Sequence, residues 1–179
     1  MEEKWVIRDK SFGRFISDEQ IQEAVSKLAS RIDSEYNGKT PIFLIVLNGA
    51  FIFASDLIKK VKIECEIAFV RLSSYKGTQS TGVVNEMLGV DIDLENRYVI
   101  VVEDIVDTGL TLQHFMQKLK TLKPAEVKIA TCLVKPDAFK ADYLVDFSCF
   151  SIPNDFVVGY GLDYDGLGRN SSDIYKLAE

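Results

Sequence analysis

Little in this sequence points to secretion, a metal cage or a covalent nucleophile. Among 179 residues there are 3 cysteines and 1 histidine. Cys65, Cys132 and Cys149 are odd in number, far apart and without C-x-x-C spacing. That excludes a disulfide framework and reads as reduced core residues of a cytoplasmic protein. None has a sequence neighbour that would act as a base, so no nucleophilic cysteine is marked. His114 stands alone and cannot build a metal cluster. The N-terminal "MEEKWVIRDKSFGRF" lacks the apolar core of a signal peptide. The longest apolar stretch, "PIFLIVLNGAFIFA", falls short of the roughly 20 residues that span a bilayer and is interrupted by Asn48 and Gly49. With net charge -6 and pI about 4.9 there is no basic surface for nucleic acid, and an anionic ligand needs a local device to bind. Neither a G-x-x-x-x-G-K-[ST] loop nor a G-x-G-x-x-G fingerprint is present. "DYDGLG" from Asp163 is a poor calcium loop, because Leu167 and Ile174 stand where ligands are required. "NSS" at Asn170 is an accidental glycosylation match in a chain read as unsecreted.

What is present is an alternation of apolar runs and amphipathic stretches. The spacing predicts a helix from about Asp18 to Tyr36, with Ser17 and Gln20 as a capping box and Ile21, Val25, Leu28 and Ile32 on one face. "IFLIVL" (42–47), "CEIAFVR" (65–71), "RYVIVV" (97–102) and "EVKIATCLV" (126–134) read as strands. "AFIFASDLIKK" and "TLQHFMQKLKTL" read as helices, the second ended by Lys123-Pro124. Strands that are apolar throughout are buried on both faces, and their alternation with helices implies an α/β fold with a mainly parallel twisted sheet. From about Val145 the character changes to short aromatic strands such as "FVVGYGLDY", which read as a small hood over one edge of the sheet. The expectation is a single domain over 1–179, with a core of about 38–140 and a hood of about 145–179 that includes part of the N-terminus. Ligands of such sheets bind beyond the C-terminal strand ends, where "LNGA", "SSYKGTQSTG" and "EDIVDTGLT" stand.

The most informative stretch is "VVEDIVDTGLTL", residues 101–112. Gly109 lets the chain turn tightly from strand to helix and approach a ligand. The N–H groups of residues 107 to 111 can form an anion-binding nest, to which the Thr108 and Thr111 hydroxyls can add hydrogen bonds. Glu103 and Asp104 accept only, so a nest does not explain them. Two adjacent carboxylates suit the vicinal hydroxyls of a sugar, and they attract a divalent cation such as Mg²⁺. A phosphate cradle beside a diol clamp describes a phosphorylated ribose. For an isolated "DTG" the simpler reading is solvated acids at a strand end with Asp107 as helix N-cap. The full string fixes too many positions for that reading to be preferred.

"VVEDIVDTGLT" resembles the phosphoribosyl pyrophosphate motif of type I phosphoribosyltransferases. With "VLNGAF", "SSYKGTQSTG" and "LVK…DFVVGYGLDYDGLGR" in the same order, the chain is most similar to their bacterial hypoxanthine (hypoxanthine-guanine) branch, over roughly residues 40 to 170. The resemblance implies that Glu103 and Asp104 hold the ribose hydroxyls and support Mg²⁺, with Asp163 as a further metal-site ligand. It implies that Asp107, Thr108, Gly109, Leu110 and Thr111 bind the 5′-phosphate, with Asp107 also the general base for the purine. Leu47, Asn48 and Gly49 would form the pyrophosphate loop, with Arg169 reaching the same group. Phe156 would stack on the purine, the Val157 backbone would contact its edge, and Lys135 would donate to a 6-oxo group. Ser74 and Tyr75 would belong to a lid that excludes water.

The implied partners are 5-phosphoribosyl 1-pyrophosphate and a purine base, with no nucleic acid and no membrane, in a cytoplasmic homodimer or homotetramer. The implied reaction is transfer of the phosphoribosyl group to N9 of hypoxanthine, and of guanine, in purine salvage. Beside it stand the same chemistry on xanthine or another 6-oxopurine, and a non-catalytic RNA- or DNA-binding regulator on the same fold. The acidic balance opposes the regulator. Two departures from many relatives, Asn48 and Leu110 where lysine is frequent, remove positive charge near phosphate. They imply a stronger reliance on backbone N–H groups, Arg169 and Mg²⁺.

Overall fold

The computed structural model describes residues 4–72 and 92–178. Five parallel strands form the central sheet: β3 (Ile42–Leu47), β4 (Glu66–Arg71), β5 (Tyr98–Val106), β6 (Glu126–Val134) and β7 (Phe147–Ser151), in the order β4-β3-β5-β6-β7. The continuous apolar runs divide between two faces, because successive side chains of a strand point in opposite directions. Ile100 and Val102 pack with Phe43, Ile45 and Phe147 on one face. Val99 and Val101 pack with Ile42, Leu44 and Ile129 on the other.

Helix α1 (Asp18–Glu35) and helix α2 (Phe51–Lys60) cover the first face, and α3 (Leu110–Thr121) covers the second through Leu112, Phe115, Met116 and Leu119. The capping box at Ser17 is formed: the Gln20 N–H donates to Ser17 Oγ at 3.4 Å, and the Ser17 N–H to Gln20 Oε1 at 3.0 Å. The periodic residues Ile21, Val25, Leu28 and Ile32 are all buried.

Strands β1 (Lys4–Ile7), β2 (Lys10–Ile16), β8 (Val157–Val158) and β9 (Ile174–Leu177) make a separate antiparallel sheet of order β1-β2-β9-β8, which is the hood. Its own small core is Ile7, Phe12, Val158 and Tyr175, while Val157, Tyr160 and Leu162 join the main core.

Two expectations are corrected. Strand β5 does not stop before the paired carboxylates. It stays in register with β6 through Glu103↔Thr131 and Val106↔Val134, because ladder hydrogen bonds use the backbone and tolerate a polar side chain. Phe147–Ser151 is the fifth strand of the central sheet and not part of the hood, since it finds a parallel partner in β6. The alternative set aside above, Asp107 as N-cap of α3, is not what forms: the N-cap is Gly109 with φ 75°. Among the described residues no helix is long and apolar enough to cross a membrane.

Removing the capping box tests how far local signals support the fold. Ser17→Ala is expected to lower the unfolding free energy by about 1 kcal/mol, read as a lower urea midpoint at unchanged slope. An unchanged midpoint would show that tertiary packing alone holds α1.

Candidate active site

Strand β3 leaves through α2 on one face, whereas β5 leaves through α3 on the other. Crossovers departing in opposite directions from neighbouring strands open a crevice at their C-terminal ends. A cavity of about 360 Å³ fills it. From the sequence-predicted residues it gathers Leu47 at the end of β3 and Gly49 just after it, and Glu103 and Asp104 near the end of β5. Asp107, Thr108, Gly109 and Thr111 line it from the start of α3, and the hood adds Asp163 and Arg169. Asn48 and Leu110 do not line it; both are exposed. Ser74 and Tyr75 lie outside the described residues.

The approach at Gly49 is close enough to require glycine. A Cβ there would sit 1.6 Å from Asp104 Oδ2. On its other side the hood backbone arrives at Gly161, where a Cβ would lie 2.0 Å from the Gly49 carbonyl oxygen. Gly161 also has φ +101°, a left-handed conformation that L side chains avoid. The Gly161 N–H donates to the Arg169 carbonyl at 2.9 Å, and the Arg169 guanidinium donates back to the Gly161 carbonyl at 2.6 Å. So the contact that seats the hood also places Arg169. Sequence reasoning missed Gly161; its signal was a second glycine two residues before Asp163.

At the start of α3 the first helical bond runs from the Gln113 N–H to the Gly109 carbonyl at 2.9 Å. The preceding N–H groups have no helical acceptor, as at every helix start; the N-cap glycine has no side chain to offer them, and only a long 3.5 Å bond from the Leu110 N–H to Thr108 Oγ1 is made among the described residues. Behind the turn, the Tyr143 hydroxyl donates to the Gly109 carbonyl at 3.1 Å. Burial and the Glu103 charge push Tyr143 up to about 12, so it remains a donor. A Cβ on Gly109 would meet Phe139 at 2.6 Å and Tyr143 at 2.8 Å. Phe139 and Tyr143 were not foreseen, since a packing wall of this kind has no motif.

Burial, then repulsion from Asp104, holds the Glu103 carboxyl well above the usual carboxylate range. Asp104 is raised too, chiefly by burial; the Ile105 N–H and Arg169 oppose the rise and Asp163 adds to it. Two adjacent acids on a partly dry wall therefore need positive charge or hydroxyl donors. The expected metal set of Glu103, Asp104 and Asp163 is not gathered into one three-carboxylate cluster among the described residues. Asp163 is engaged elsewhere: Oδ1 pairs with Arg169 at 2.5 Å, and Oδ2 accepts from the Gly166 N–H at 2.7 Å. A site of two carboxylates still fits Mg²⁺, which commonly takes one or two protein carboxylates with water and substrate phosphate.

Beyond the cavity lining, Lys135 is 6% exposed at the end of β6, and its ammonium donates to Asp107 Oδ2 at 3.0 Å. Two residues singled out for separate reasons are thus one ion pair. Phe156 presents a half-exposed ring in the hood beside the buried Val157.

Residues 17–165 match the family model described as phosphoribosyl transferase domain. The chain is 42% identical over 165 residues to the hypoxanthine-guanine phosphoribosyltransferase of Streptococcus pneumoniae, covering 92% of each chain. It is 37% identical over 175 residues to that of Aquifex aeolicus, covering 97% of this chain and 98% of the other. Among solved structures it resembles a hypoxanthine-guanine phosphoribosyltransferase of Bacillus anthracis, with TM-score 0.85, 38% identity and coverage of 93% and 96%.

Gly161→Ala tests the seating of the hood on the β3 loop. It is expected to lower the unfolding free energy by about 1 to 3 kcal/mol from backbone strain alone, read by chemical denaturation. A variant as stable as the parent would mean that Gly161 does not seat against Gly49.

Proposed function

Because the chain belongs to the phosphoribosyl transferase family, we propose that its cavity seats 5-phosphoribosyl 1-pyrophosphate beside a 6-oxopurine. The protein is a purine-salvage enzyme that transfers the phosphoribosyl group to N9 of hypoxanthine and guanine, with release of pyrophosphate. The observation that carries this reading is the meeting, on one cavity wall, of adjacent carboxylates and an uncapped helix N-terminus. One feature suits vicinal hydroxyls and the other a phosphate.

Glu103 and Asp104 accept hydrogen bonds from the ribose hydroxyls. The N–H groups of 107–111, with the Thr108 and Thr111 hydroxyls, take the 5′-phosphate, and the exposed Leu110 contributes only its backbone. The loop at Leu47, Asn48 and Gly49 faces the pyrophosphate with Arg169. Mg²⁺ would be held by Glu103 and Asp104, with Asp163 nearby, and supplies neutralisation of the leaving pyrophosphate. Phe156 stacks on the purine and the Val157 backbone meets its edge. Lys135 donates to the 6-oxo group while held by Asp107, so one ammonium addresses both the base and the group that accepts its proton. Adenine presents an amino group there, leaving a buried ammonium facing a donor, which is a strong basis for rejection. Ser74 and Tyr75 are assigned to the lid on the resemblance alone.

We also place the protein in the cytoplasm as a homodimer or homotetramer. Ile67 and Phe69, 47% and 50% exposed on β4, the edge strand of the described sheet, offer apolar area that a partner subunit would cover. No observation favours xanthine as the preferred base or a nucleic-acid-binding regulator.

A spectrophotometric assay with hypoxanthine, guanine, xanthine and adenine, each with and without Mg²⁺, tests the assignment. Hypoxanthine and guanine should react, adenine should not, and removal of metal should abolish turnover; full activity in chelator would overturn the role given to Glu103 and Asp104. Asp107→Asn should lower kcat by about 100- to 10,000-fold with little change in the KM for the donor. Equal losses in both would rule Asp107 out as the proton acceptor.

A further inference from the structure

The purine platform, Phe156, is 43% exposed and is held by ring contacts from the N-terminal hairpin and from its own loop. Phe12 of β2 lies 6.3 Å from it between centroids, and Tyr164 meets it edge-on at 5.8 Å and 86°. Lys10 begins β2 two residues before Phe12 and so points to the same side. Its ammonium lies over the Phe156 ring at 5.6 Å and over the Tyr164 ring at 4.7 Å. The hairpin turn fixes that position. Asp9 Oδ1 accepts from the Tyr164 hydroxyl at 2.9 Å, and Arg8 pairs with Asp165 at 3.1 Å. The ammonium acts on the two rings and on the adjacent Asp9 carboxylate, where it adds to the Tyr164 hydrogen bond in holding that acid below its usual range.

We infer that Lys10 is a positioning residue for the base site, its ammonium covering one face of Phe156 and holding the ring so that the opposite face receives the purine. The inference rests on the reading of Phe156 as the stacking platform. A cation on one face draws π density toward itself, which leaves the other face a better partner for an electron-rich heterocycle. Hypoxanthine is neutral, so Lys10 acts on it through the ring and not by long-range attraction. The donor, a polyanion, supplies the internal control.

The test is steady-state kinetics on the full chain with Lys10→Met, Lys10→Arg and Phe156→Ala, together with thermal unfolding of each. Lys10→Met is expected to raise the KM for hypoxanthine about two- to five-fold, with kcat, the KM for 5-phosphoribosyl 1-pyrophosphate and the melting temperature unchanged. Lys10→Arg keeps a cation over the rings and should restore the parental KM. If Phe156→Ala raises the KM for hypoxanthine and Lys10→Met does not, the role of Lys10 is overturned while the base site stands. If Lys10→Met raises the donor KM, or lowers the melting temperature along with both affinities, Lys10 acts by charge or by folding, and the inference is likewise overturned. If Phe156→Ala leaves the KM for hypoxanthine unchanged, the platform itself is wrong and Lys10 falls with it.

Discussion

The hood backbone and one carboxylate of β5 converge on Gly49. Asp104 fills the space where a side chain at position 49 would begin, and the hood at Gly161 rests on the Gly49 carbonyl. This contact brings the end of β3 against the acids of β5, and it sets Arg169 through the paired hydrogen bonds with Gly161. Backbone can approach backbone this closely only where Cβ atoms are missing, so two glycines far apart in the chain define the width of the cavity.

The charge arrangement follows from that geometry. A strand held in register through Val106 carries Glu103 and Asp104 on the cavity wall while its neighbours remain core. Partial burial makes the pair a poor home for two negative charges and a good one for hydroxyl donors or a cation. On the described cavity wall the only cationic side chain is Arg169, and it is paired with Asp163. Lys135, a second cation near the site, is paired with Asp107. On the proposed function, an acidic protein would bind a polyanionic donor with backbone N–H groups, a helix start and a few pre-paired cations, without a positive surface.

Much of this was legible in the residues. Periodicity identified α1 with its cap, the unbroken apolar runs announced a parallel sheet, and "EDIVDTGLT" picked out residues that line the cavity. The strand boundaries were less legible. Glu103 and Asp104 looked like the end of β5, but side-chain polarity does not interrupt a ladder made by the backbone. Phe147–Ser151 looked like hood because a five-residue aromatic strand carries no signal of which sheet will pair with it.

What the sequence determined by itself was the chemistry available: paired acceptors, a glycine turn into a helix, a lone lysine after a buried strand, aromatic residues in the tail. These properties are local, set by residue type and by spacing within a dozen positions. Only the tertiary structure decided which of them meet. The Lys135–Asp107 pair joins positions 28 apart in sequence, and the Asp9–Tyr164 contact joins positions 155 apart. The cavity exists because β3 and β5 send their helices to opposite faces. Contacts at such separations depend on how elements stack and on where two Cβ atoms are absent, and no local pattern encodes that.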